Sequence, residues 1–240
     1  ILDIETGEVN SLEALLRCDQ DELKDIGTED LIVVAEKTGL IVEIGETALL
    51  NATRQFRNWM KLGLSIPKLS VNLSPVQLRN ASATDRLLEI VEQLDFPARM
   101  LQFEFTETAM MNDVSSIRER LRRLQKLGVQ IALDDFGTGH SALSHLREFS
   151  PDVLKIDRSF VDKVASSNTD AALVSAIIAM SHKLGIRVVA EGIETQAQLN
   201  QLRMLQCDDF QGYLCAKPMS AVQMTKWLRC LMNSATSKAA

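Results

Sequence analysis

Apolar residues recur along this chain in two rhythms, one of short alternating or unbroken runs and one of longer three-to-four-residue repeats. Ile1 to Ile4 and Val9 to Arg17 flank Glu5-Thr-Gly-Glu8, which predicts a hairpin with its two strands antiparallel. Beyond it, helix and strand patterns alternate. Thr28 is placed to cap a helix to about Lys37, closed by Gly39, and a longer helix follows over about Ile41 to Leu62. Further strands are predicted at Leu69 to Ser74, Leu101 to Glu107, Val129 to Leu133, Asp152 to Asp157, Ile186 to Gly192 and Phe210 to Cys215. Helical patterns fall at Asp85 to Leu94, Asp113 to Leu127, Ser141 to Arg147, Asp170 to Leu184, Gln196 to Leu205 and Ala221 to Met232. Strands alternating with helices imply βαβ units and a parallel sheet. About eight such strands predict an α/β fold, a modified TIM-type (β/α)8 barrel with an antiparallel first strand. Residues 1–233 are expected to form one domain, and the small polar residues 234–240 a disordered tail.

Seven polar residues stand at the ends of seven strand-like runs: Glu13, Asn72, Glu104, Asp134, Lys155, Glu191 and Gln211. Parallel barrels carry their chemistry on that rim. The densest place is Asp134-Asp135. Two carboxylates about 4 Å apart repel by roughly 4 kcal/mol near a protein surface, and a divalent cation removes that cost. On a regular strand the two would point to opposite sides. The turn Phe136-Gly-Thr-Gly139 is expected to bring them together; the plainer alternative is two acids capping the loop and the next helix.

Each of the others also has a plain reading. Glu104 shares a strand face with Gln102 and Thr106, which alone reads as an exposed polar face. Asn72, between Val71 and Leu73, alone reads as a hydrogen-bonded core amide. Lys155 between Leu154 and Ile156, and Glu191 after Val188-Val-Ala190, need partners if buried. Taken together, these groups can supply one another. The ligand set is all oxygen, which favours Mg²⁺ or Mn²⁺ over a thiolate-bound metal. His140, His145 and His182 have no ligand spacing, although His140 follows the acid pair closely. No Ser-His-Asp or Cys-His arrangement is legible, so a side-chain nucleophile is not expected.

Composition narrows the picture. The net charge of −6 argues against the broad basic footprint that long nucleic acid requires. The four cysteines form no CxxC pair, which fits neither a structural zinc site nor a disulfide framework and favours a reducing cytoplasm. The longest apolar stretch, Ala171 to Met180, is too short to span a bilayer, and no signal peptide is visible. The chain begins in a strand without an initiator Met, so it is expected to be a domain of a longer protein with regulatory or sensor parts upstream.

At these residues the sequence resembles the EAL-domain family of bacterial cyclic di-GMP phosphodiesterases. The signature stands as EALLR (Glu13 to Arg17). SVNLSPVQL (Ser70 to Leu78), EFTET (Glu104 to Thr108), LDDFGTGHSALSHL (Leu133 to Leu146), VLKIDRSFV (Val153 to Val161), VVAEGIET (Val188 to Thr195) and QGYLCAKPM (Gln211 to Met219) follow in order. The resemblance implies hydrolysis of 3′,5′-cyclic di-GMP to linear pGpG with Mg²⁺ or Mn²⁺, as two ions, and a homodimer. It implies metal binding by Glu13, Asn72, Glu104, Asp134 and Asp135, and catalytic roles for Lys155 and Glu191. Glu107 would anchor the loop after the acid pair, and Leu15, Arg17, Gln211 and Pro218 would contact substrate. Family members usually carry Trp where Cys18 stands, and the segment Asp19 to Thr28 departs from their pattern. That departure keeps a receptor or adaptor without turnover as the alternative.

Overall fold

The computed structural model describes residues 1–18, 26–64, 66–106, 114–137, 146 and 149–238. Eight strands among them form one sheet: β1 Leu2–Asp3, β2 Ser11–Ala14, β3 Lys68–Asn72, β4 Leu101–Thr106, β5 Gln130–Phe136, β6 Val153–Ile156, β7 Arg187–Ala190 and β8 Asp209–Phe210. Neighbours follow the order β1-β8-β7-β6-β5-β4-β3-β2. Strands β2 to β8 pair in parallel, while β1 runs antiparallel to β8, with Leu2 opposite Phe210. β1 also reaches the start of β2 through the antiparallel bridge Leu2–Val9 and the Asp3 N–H, which donates to the Glu8 carbonyl at 2.9 Å. The sheet therefore nearly closes into the expected barrel with its reversed first strand.

The described helices are α1 Thr28–Thr38, α2 Ile41–Lys61, α3 Pro75–Arg79, α4 Ala81–Gln93, α5 Val114–Lys126, α6 Arg158–Val161, α7 Asn168–Lys183, α8 Gln196–Met204 and α9 Ala221–Lys238. None is long and apolar enough to cross a membrane. Three local readings change. Thr28 does not cap α1; Gly27 takes the cap position in an extended conformation with no side-chain bond. α3 is an extra helix, opened by a capping box in which the Ser74 hydroxyl accepts from the Val76 N–H and Gln77 returns to the Ser74 N–H. Asn80 then caps α4, so that helix starts at Ala81 rather than Asp85. The strands are also shorter than the apolar runs. β7 stops at Ala190, before the left-handed Gly192, and β8 stops at Phe210. Apart from Leu146, the helix expected over Ser141 to Arg147 lies outside the described residues, as does Asp113 at the start of the helical pattern to Leu127.

Strand alternation sorts the side chains into two cores. On β4, Leu101, Phe103 and Phe105 join the large apolar cluster beneath the helices, with Ile131, Leu133, Leu154, Ile156 and Val188 from neighbouring strands. Each such side chain contributes roughly 1.5–3 kcal/mol on burial. The inward positions are different in kind. Ala132, Val153 and Val189, with Ile1 against them, form a small separate cluster inside the barrel. At its amino-terminal end the barrel is closed by ions: Arg187 donates to Asp209 at 2.8 Å and to Asp3 at 3.0 Å.

Candidate active site

At the carboxyl end of the strands the inward positions become acidic. Glu13 lies on β2, Glu104 on β4, Asp134 and Asp135 on β5, Lys155 on β6, and Asn72 ends β3. Glu191 and Gln211 sit one residue past β7 and β8. Their backbone N–H groups still donate to neighbouring strands, to Ile156 at 3.1 Å and to Ala190 at 2.8 Å, which holds both on the rim.

Lys155 is the hub. Its ammonium lies 2.6 Å from Glu104 Oε2, 2.7 Å from Glu191 Oε1, 3.1 Å from Asp134 Oδ2 and 3.8 Å from Glu13 Oε2. Asn72 Nδ2 donates to Glu13 Oε1 at 2.7 Å, and Gln211 Nε2 to Glu13 Oε2 at 2.8 Å. The exposed-face reading of β4 is overturned: Glu104 is 0% exposed and Gln102 2%, because the inward side of a closed sheet is the barrel interior.

One ammonium faces four carboxylates, and the titration behaviour records the imbalance. Burial, reinforced by Glu13 and Asp134, pushes Glu104 up to about 7 against the pull of Lys155. Burial and Asp134 push Glu191 up to about 8. Burial works the same way on Glu13, but Lys155, Gln211 and Asn72 outweigh it and hold that acid below its ordinary value. For Lys155, burial opposes the charge, yet the surrounding acids keep it well above the usual lysine value.

Asp134 and Asp135 converge by a route other than the expected turn. The β5–β6 register shifts between Leu133 and Phe136, and Asp135 takes a left-handed φ of 53° inside the strand. This bulge turns Asp135 onto the same side as its neighbour, and its N–H donates to Asp134 Oδ1 at 2.9 Å. Aspartate is among the few residues that tolerate this backbone, at a cost of about 1–2 kcal/mol. Single ligand oxygens of Asp134, Asp135 and Glu191 then lie within 4.8 Å of one another, close enough to share a cation. Burial and the adjacent Asp134 raise the Asp135 pKa.

A pH prediction follows. Folded Glu104 and Glu191 hold protons that the unfolded chain, with ordinary values of 4.5, has already released. That contribution is complete below the unfolded pKa and is lost as pH rises through about 7 to about 8. Melting temperature in EDTA is expected to fall between about pH 5 and pH 8, and saturating Mn²⁺ to flatten the fall. A melting temperature that rises over this window in EDTA contradicts the assignment.

A cleft of about 340 Å³ opens on one side of the rim, lined among others by Glu13, Leu15, Glu191, Gln211, Tyr213 and Pro218, but not by Glu104, Asp134 or Asp135. Leu15 is exposed there, and Pro218 lines the opposite segment after β8. Arg17 is not among this cleft's lining residues. It is exposed, donates to the Leu16 carbonyl at 2.6 Å, and lines an adjoining slot of about 330 Å³ with Asn51, Gln55 and Trp59. Glu107, His140 and His145 lie outside the described residues. His182 bonds Asp208 at 2.9 Å at an exposed position.

Tyr213, Lys217, Arg158 and Glu194 also line the cleft and were not anticipated. The Lys217 ammonium lies 5.4 Å from the Tyr213 ring centre, and Arg158 bonds Glu194 at 2.9 Å. The available signal was spacing: Tyr213 stands two residues beyond Gln211. Gly212 between them allows close backbone approach. A Cβ there would lie 2.1 Å from the Ile193 carbonyl oxygen. Gly212→Ala is expected to cost about 1–3 kcal/mol in stability and to displace Gln211, read by denaturant melts and by activity. An unchanged melt would refute the clash.

The fold and site together define a mostly parallel barrel with an acidic rim at the carboxyl ends of its strands. The chain belongs to the EAL domain family, whose model matches residues 1–218. It is 39% identical over 218 residues to the bifunctional diguanylate cyclase/cyclic di-GMP phosphodiesterase MucR of Pseudomonas aeruginosa, covering 91% of this chain and 32% of MucR. It is 38% identical over 229 residues to the cyclic di-GMP phosphodiesterase NbdA of the same organism, covering 95% and 29%. To the oxygen sensor protein DosP of Escherichia coli it is 34% identical over 228 residues, covering 95% and 28%. The chain therefore spans about a third of the length of these relatives. Among solved structures, the MucR phosphodiesterase in complex with c-di-GMP superposes with a TM-score of 0.85 at 39% identity, covering 93% of this chain and 90% of that one.

Proposed function

We propose that this domain hydrolyses 3′,5′-cyclic di-GMP to linear pGpG with Mg²⁺ or Mn²⁺, and so lowers that messenger in bacterial signalling. The observation that carries the reading is the convergence of Asp134, Asp135 and Glu191 within 4.8 Å beside the Lys155 hub. The donor set fits hard divalent cations: it is oxygen only, and its negative charge exceeds what Lys155 neutralises. Glu13, Asn72, Glu104, Asp134 and Asp135 would hold the ions, with Glu191 at their edge. Bound ions, as a pair, supply Lewis-acid activation of water and charge stabilisation at phosphate.

The chain's own residues do the rest. Lys155 steadies Glu104, Asp134 and Glu191 with its three N–H donors, and keeps the role toward the attacking water or phosphate that the resemblance implies. Leu15, Gln211 and Pro218 line the cleft that seats the dinucleotide. Water adds to phosphorus, the P–O3′ bond breaks, and the released 3′ oxygen takes a proton, leaving a 5′-phosphate end. Glu107 keeps the loop-anchoring role that the resemblance implies. Homodimerisation, a cytoplasmic setting and attachment to sensor domains complete the proposal.

One observation favours a receptor without turnover: Arg17 lines the adjoining slot, which shares Glu13 and Leu15 with the cleft, and not the cleft itself. The test separates the two. Purified domain incubated with cyclic di-GMP and Mg²⁺ or Mn²⁺ is expected to yield pGpG on chromatography, and Ca²⁺, with its longer and looser coordination, is not. Binding with no product in any metal would establish the receptor instead.

A further inference from the structure

Two residues before Glu104 on β4, and so beneath the acid rim, a second polar pair is buried in the barrel. Gln102 on β4 and Ser70 on β3 are register partners and are 2% and 0% exposed. Gln102 Nε2 donates to Ser70 Oγ at 2.7 Å and to Glu104 Oε1 at 3.3 Å. Lys155 holds the other Glu104 oxygen, Oε2, at 2.6 Å.

A bonded buried amide adds little net stability, and replacing it together with its partner by apolar groups of the same shape can be nearly neutral or stabilising. The fold has no need of an amide here. The group that gains from it is Glu104, whose carboxylate is gripped on both oxygens, by a charged donor from β6 and a neutral donor from below. We infer that Gln102 is a positioning residue: braced by Ser70, it fixes the orientation of the Glu104 carboxylate and thereby tunes the affinity of the rim for its divalent ion. Ser70 completes the device by tethering the amide nitrogen that must point at Glu104. Removing such outer supports costs 10–100-fold in metal affinity in well-studied metal sites.

This inference rests on the metal-dependent reading above, and the experiment keeps the two apart. Mn²⁺ binding is measured by calorimetry without substrate, and melting temperature in EDTA, for wild type, Gln102→Met and Ser70→Ala. Gln102→Met keeps the volume and removes the donor. It is expected to weaken Mn²⁺ by about tenfold or more and to lower the EDTA melt modestly, because Ser70 Oγ and Glu104 Oε1 each lose a donor. Ser70→Ala, a smaller change that retains Gln102, is expected to weaken Mn²⁺ by a lesser factor, and it carries the test should Gln102→Met not fold. Unchanged Mn²⁺ affinity in a folded variant, or a lowered EDTA melt with affinity intact, overturns the positioning role and leaves a structural one. A wild-type domain that binds no Mn²⁺ overturns the metal reading itself, and this inference with it.

Discussion

Lys155→Met is expected to abolish cyclic di-GMP hydrolysis, by on the order of 10³-fold or more, and to destabilise the metal-free domain as well. Lys155 is 1% exposed and contacts four carboxylates. Methionine keeps the length of the side chain and removes its charge. The acids then face one another with no cation between them, and breaking a buried ion network from one side costs about 3–5 kcal/mol. Part of that cost is relieved by proton uptake, so Glu104 and Glu191 shift further up from their already raised values. Thermal melts in EDTA at neutral pH should show the loss, and Mn²⁺ should recover stability without recovering rate. If Mn²⁺ restores both, Lys155 serves only to balance charge and takes no part in the chemistry.

Asp134→Asn is expected to match that loss of activity with the opposite effect on stability. Asp134 lies 3.1 Å from Lys155 but beside Glu104 and Asp135, whose carboxyls it pushes up in pKa. Asparagine keeps an oxygen that can accept from Lys155 and removes one of the surplus charges. The EDTA melt should hold or rise. Hydrolysis should fall on the order of 10³-fold, because a neutral amide is a poor substitute for an anionic ligand. A domain that unfolds on this change would assign Asp134 a structural role. Read side by side, the two variants separate a rim that holds the fold together from a rim that the fold tolerates for chemistry.

The architecture was legible because the strand pattern carries two signals at once. Leu101, Phe103 and Phe105 announce the helix-facing side of β4, and the polar residue after each apolar run announces the rim. Glu13, Asn72, Glu104, Asp134, Lys155, Glu191 and Gln211 do meet, because parallel register places strand ends side by side. The bulge at Asp135 was not legible. No glycine marks it, and the left-handed backbone is set by pairing with β6 rather than by local propensity. The cleft wall of Arg158, Glu194, Tyr213 and Lys217 was missed for a related reason: it is built from segments brought together only when the barrel closes. The capping box at Ser74 was readable as S-x-x-Q and passed over in favour of the longer helical repeat.

The separation of the outer apolar cluster from the polar strand ends also bears on descent. Each strand is inherited as two nearly independent surfaces, one answerable to folding and one to chemistry. A lineage can exchange Glu13, Asp134 or Glu191 one codon at a time and still inherit a barrel whose outer packing is intact. Loss of turnover then need not mean loss of the protein, and such a descendant keeps an open mouth at its strand ends, ready for recruitment to another task.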